Sequence, residues 1–157
     1  MAQASIQTAK TVRQLAIGSL QAIPEELFDI QPNGFNNTIR WNIGHIAAMQ
    51  DVFLANGLEI PSDLPSNYNK MFFMGTKPAD WADTPPSKEE LLQTLSTQFN
   101  RLSEVSPDKL NESFHSPREM GPFTFSCRDE VFQFALIHEA VHLGVISSMV
   151  KAIQAGK

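Results

Sequence analysis

Apolar positions recur every three or four residues in four separate stretches of this chain, the period of a helix with one buried face. The first stretch runs from about Ala4 to Ala22 and sets Ile6, Val12, Leu15, Ala16, Ser19, Leu20 and Ile23 at helical intervals. Pro24 ends it, and Pro24-Glu25-Glu26-Leu27 reads as a short extra turn before the loop Gln31-Pro32-Asn33-Gly34. The second stretch starts at the capping residues Asn37-Thr38 and runs to a stop at Gly57, with Trp41, His45, Ala48, Met49 and Val52 on one face. Gly44 lies inside it, where it costs helix propensity, and predicts a tightly packed neighbour at that point. The third opens on Ser87-Lys88-Glu89-Glu90, a capping-box pattern. It carries Leu91, Leu92, Leu95, Phe99, Leu102 and Val105, and ends at Ser106-Pro107. The fourth begins near Ser126-Cys127-Arg128-Asp129, with Val131, Ala135, His138, His142, Val145 and Met149 as its inner stripe.

Two irregular segments separate these helices. Leu58 to Pro86 mixes five prolines with Tyr68, Phe72, Phe73 and Trp81. That is too long and too aromatic for a hinge, and predicts an ordered segment closing over something. Phe114 to Phe125 reads as a short turn or small hairpin. There are no repeats and no series of alternating strands. The pattern predicts one all-α domain over 1–157, a four-helix bundle with helices of roughly 18 to 27 residues. The long connection between helices two and three can cross the bundle's length, which lets those two run parallel.

Composition narrows the setting. The chain has 157 residues, enough for one domain with its own core. Twelve basic residues against seventeen acidic ones give a net charge of −5, and no Lys/Arg run can track a phosphate backbone, so nucleic acid is not an expected partner. Lys10 and Arg13 interrupt the apolar N-terminal stretch, unlike a signal peptide, and no uninterrupted apolar run has the length of a membrane span. Cys127 is the single cysteine, so no intrachain disulfide forms and a reduced cytoplasmic setting is expected.

The chemistry concentrates in His138-Glu139-Ala140-Val141-His142. This H-E-x-x-H spacing puts two imidazoles one helical turn apart on one face, ready for a divalent metal. A third protein ligand is required, and in zinc peptidases it follows downstream. Here LGVISSMVKAIQAGK offers no His, Asp, Glu or Cys, so a peptidase is not expected and the third ligand must lie upstream. His45, on the inward face of helix two, is the leading candidate; the alternative is a core histidine satisfied by a backbone carbonyl. His115 reads as a loop residue. Cys127 lies about 16 Å along the helix from His138, too far to share its metal. Glu139 stands about 100° round the helix from His138. It can act as a base on a bound water, as the candidate catalytic residue, or orient a histidine from behind, or face solvent. Three imidazoles leave a metal net positive with an open position, and suit Zn²⁺ or Ni²⁺.

The motif T-I-R-W-N-I-G-H on helix two, followed by H-E-A-V-H-L-G-V-I on the last helix, resembles the DinB/YfiT-like superfamily of metal-dependent enzymes. The resemblance covers nearly the whole chain by helix order and rests on Trp41, His45, His138, His142 and Gly144. It implies an up-down-down-up four-helix bundle with His45, His138 and His142 as metal ligands. It further implies S-transfer from a low-molecular-weight thiol such as bacillithiol, mycothiol or glutathione to a small electrophile, and a homodimer. The family's usual Gln after that Gly is Val145 here. Leu91, Leu95 and Leu102 exceed one inward stripe and add to the expectation of a dimer. A metal-dependent hydrolase using Glu139, or a non-catalytic metal-binding stress protein, are the competing readings.

Overall fold

The structure is a computed structural model that describes residues 2–156. Helix accounts for 66% of it, in six α-helices and two short 3-10 turns (Glu25–Leu27 and Pro78–Asp80) among the described residues, and one two-stranded antiparallel sheet is also present. The long helices are α1 (Ala2–Ala22), α2 (Ile39–Leu58), α4 (Lys88–Ser103) and α6 (Arg128–Ala155). Short helices α3 (Asn67–Phe72) and α5 (Pro107–Asn111) lie in the connections. The all-α class is corrected by β1 (Ser113–Met120) and β2 (Phe123–Cys127), which form the small hairpin expected between Phe114 and Phe125. They pair through Arg118 with Phe125, Glu119 with Thr124 and Met120 with Phe123. Their two-residue turn needs a left-handed first position, which Gly121 supplies at φ 58°.

Helix α2 is central. It packs on α6, α3 and α4, and all but three of its twenty residues are buried. That explains why its inward stripe is hard to separate from its other faces: a helix surrounded by protein is apolar nearly all round. Helix α1 lies against α4 and α6, and its buried stripe is Ala2, Ile6, Ala9, Arg13, Ala16 and Leu20. Leu15, expected inside, is 62% exposed. Alanines bring the middle of α1 close to its neighbours, and among them the stripe buries an arginine as well as Ile6 and Leu20.

The two glycines of α2 serve close packing. A Cβ on Gly44 would overlap the Phe72 ring, the tight neighbour its position predicts. Gly57 does not stop the helix. Its missing Cβ makes room for Val131 of α6, and the left-handed cap falls to Glu59 at φ 60°. Thr38 caps the start of α2 by accepting from the Trp41 amide, and Ser87 with Glu90 forms the capping box of α4. Ser106-Pro107 lies beyond the end of α4 and caps α5.

Leu91, Leu95 and Leu102 are at most 1% exposed, so they are core and lend no surface to a dimer. The segment between α2 and α4 is also packed: Tyr68, Met71 and Phe72 join the core under partly buried Trp81. Helix α6 reaches a mean hydropathy of 1.3 over eighteen residues, long and apolar enough to cross a membrane by composition alone. The sequence expectation missed this because it sought an uninterrupted apolar run. Here the helix lies against α1 and α2, with a glutamate ion-paired in the interior.

Candidate metal centre

Helices α2 and α6 bring His45, His138 and His142 together. One ring nitrogen from each lies within 4.8 Å of the others. Ring centroids are 5.1 Å apart for His45 and His138, 4.7 Å for His45 and His142, and 4.6 Å for His138 and His142. The α6 pair meets because four residues make about one turn. His45 meets them because α2 and α6 pack closely, as Gly57 beneath Val131 permits.

The partners of the rings decide which nitrogen is free. His45 Nδ1 lies 2.6 Å from the Phe72 carbonyl, an acceptor only, so Nδ1–H donates and Nε2 keeps its lone pair. His142 Nδ1 lies 2.8 Å from Asn42 Oδ1. The Asn42 amide is itself oriented, since Nδ2 donates to the Thr38 carbonyl at 2.8 Å. Its oxygen therefore faces His142, and again Nε2 is the free donor atom. His45 is thus both a core histidine bonded to a carbonyl and a member of the cluster; the two sequence readings describe two edges of one ring. Trp41 stacks on His45 at 4.5 Å, and Phe53 meets His138 edge-on at 5.5 Å.

Protonation follows from these surroundings. Burial lowers the pKa of His138 to about 4 and that of His142 to about 3, helped by the neighbouring imidazoles. His45 is lowered by burial, partly offset by its bond to Phe72. All three are neutral at pH 7, the form that ligates a metal. His45 is 5% exposed while the α6 pair is half-buried, so the cluster is walled behind and open in front. Three neutral imidazoles with two tautomers fixed from behind fit a metal cation.

The other sequence candidates lie elsewhere. His115 is on β1 and exposed, and Cys127 is half-buried at the start of α6. Glu139 turns away from the cluster toward Arg13 of α1 and is 1% exposed. Arg13 Nη2 donates to its Oε2 at 2.9 Å, while Nε lies 2.8 Å from Oε1 but off-line, an ionic contact rather than a second bond. Arg13 also donates to Gln98 Oε1 at 2.8 Å, and Gln98 donates to the Ala47 carbonyl and Asp51. Asp51 in turn pairs with Arg101. This polar chain ties all four long helices together behind the histidines. Sequence reasoning missed Arg13, Gln98 and Asn42. Asn42 carried a signal, standing three residues before His45 and so on the same side of α2.

The family model of the DinB superfamily matches residues 8–146, which include all three histidines. No curated protein matches the sequence.

Proposed function

The chain belongs to the DinB superfamily, and from that premise we propose that it is a metal-dependent S-transferase, which joins the intact thiolate of a small thiol to a small electrophile through a new S–C bond as the electrophile's leaving group departs. The observation carrying this reading is the set of three neutral imidazoles, two held with Nε2 free by the Phe72 carbonyl and Asn42. His45, His138 and His142 would hold the cation through those nitrogens. When bound, the metal supplies Lewis acidity that lowers the pKa of a coordinated water or thiol into the neutral range. Trp41 covers one face of His45, and the half-buried α6 pair leaves access from solvent.

Thiol rather than water is favoured as nucleophile on two grounds. The family resemblance implies a cofactor such as bacillithiol, mycothiol or glutathione. Glu139, the base that hydrolysis at an H-E-x-x-H helix would use, is buried and occupied by Arg13. The contacts of α1 with α4 and α6, and of α2 with α4 and α6, support the up-down-down-up bundle as the underlying architecture. The free Cys127 supports a reducing cytoplasmic setting.

The test is turnover of a chloronitrobenzene by protein purified without a polyhistidine tag, with bacillithiol, glutathione, coenzyme A or no thiol. Activity should require a thiol and vanish in His142→Ala. Equal rates in that variant, or activity only without thiol, would reject the reading.

A further inference from the structure

We propose that the β1–β2 hairpin and α6 build an aromatic subsite beside the histidines, which takes the uncharged, ring-bearing part of the substrate. This rests on reading the histidine cluster as the reaction centre. At about 100° per residue, Phe134, Val141 and Val145 all fall within about 60° of His138 on one side of α6. The other side carries Val131 and Ala135, which are 1% and 2% exposed. The cluster therefore opens toward Phe134 and Val141.

A run of ring contacts leads away from His138 in that direction. Phe53 meets His138 at 5.5 Å and Phe134 at 5.5 Å, both edge-on. Phe134 then meets Phe123 at 5.1 Å and Phe125 at 5.4 Å. The strand pairing sets Met120 opposite Phe123, and Phe123 and Phe125, two apart, share that face. Phe125 is 8% exposed and already anchors the hairpin to the core. Phe123 is 49% exposed and Val141 59%, so apolar surface is left in water next to the open side of the cluster.

The dimensions and chemistry specify the occupant. His138 and Phe134 are four residues apart, about 6 Å along α6, which is about the length of one aromatic ring. None of these side chains is charged, so the part of the ligand that rests on them is uncharged. A ring stacked on Phe123 and Phe134 would place a substituent at the imidazoles, where the reaction is set. The subsite therefore selects aryl or similarly flat apolar electrophiles over short polar ones.

Binding can be read without turnover, because Trp41 stacks on His45 and a nitroaromatic quenches nearby indole fluorescence. The metal-loaded protein is titrated with 1,3-dinitrobenzene, which does not react. Saturable quenching is expected, with Kd raised at least fivefold in Phe123→Ala and in Phe134→Leu, and unchanged in Leu15→Ala. Metal content and melting temperature of the Phe123 variant should match the parent, since that ring is half in solvent. Unsaturable quenching, or a Kd unchanged from the parent in either phenylalanine variant, overturns the subsite. Ring-dependent binding without thiol-dependent turnover keeps the subsite and removes the S-transfer reading. Thiol-dependent turnover with KM unchanged in both variants does the reverse.

Discussion

At the scale of single residues, the site depends on what stands behind each imidazole. Asn42 holds His142 with its oxygen because its nitrogen is committed to the Thr38 carbonyl. Asn42→Ala should therefore weaken metal binding by about 10- to 100-fold while the helices remain formed. Competition against a chromogenic chelator measures this, and an unchanged affinity would show that His142 needs no orienting partner. The lowered histidine pKa values set a pH window for the metal-free chain. In the unfolded chain these histidines take protons near 6.5, but in the folded chain only near 4 for His138 and near 3 for His142. The unfolded state thus binds more protons between those values, so stability is full above about 6.5 and falls as pH drops through the window. The urea midpoint should fall from pH 6.5 to 4, and less steeply in His142→Leu; a flat midpoint would contradict the assigned protonation.

At the scale of elements, α6 carries two faces with different tasks. One presents His138 and His142, and the other plants Glu139 against Arg13 in a core where both are almost fully excluded from water. Removing one charge of a buried pair strands the other, at a cost of about 3–5 kcal/mol. Glu139→Gln should lose stability on that order in a urea melt, and Arg13→Met/Glu139→Leu should recover much of it. A variant of full stability that has lost only turnover would instead make Glu139 the base. The seam between α2 and α3 makes a second demand. Gly44→Ala drives a methyl into Phe72, whose carbonyl holds His45, so about 1–3 kcal/mol of stability and some metal affinity should be lost together. Full stability with full metal affinity would separate Gly44 from the site.

What was readable in the sequence divides along these lines. Local devices with short-range grammar were legible: the Thr38 cap, the Ser87–Glu90 box, the H-E-x-x-H pair, and Gly44 as a mark of close approach. His45 was legible because an imidazole on an apolar stripe needs a reason. Arg13 was not, since its partner Glu139 is 126 positions away and a lone arginine on an amphipathic helix ordinarily faces water. Leu15 falls outside because the buried stripe of α1 runs through Ile6, Ala9, Arg13, Ala16 and Leu20, and Leu15 stands off that line. The aromatics before α4 predict a segment closing over something, and what Tyr68 and Phe72 close over is the core itself.

At the scale of the whole molecule, the long helices pack around one polar chain, and the histidines sit at the open α2–α6 edge of it. Self-association, expected from the sequence, loses its support from the α4 leucines; in a dimer, exposed Ile137 on α6 would supply apolar surface for a second copy. Light scattering over a tenfold concentration range should give a dimer mass that falls in Ile137→Lys, and a constant monomer mass would reject it. The central claim is that residues from two helices converge to make one metal site. Metal content of the untagged protein, measured alongside His45→Ala, His138→Ala and His142→Ala, tests that claim most directly. One divalent ion per chain in the parent and little or none in each variant is the predicted result; a parent without metal, or a His45→Ala variant that keeps its full share, would contradict it.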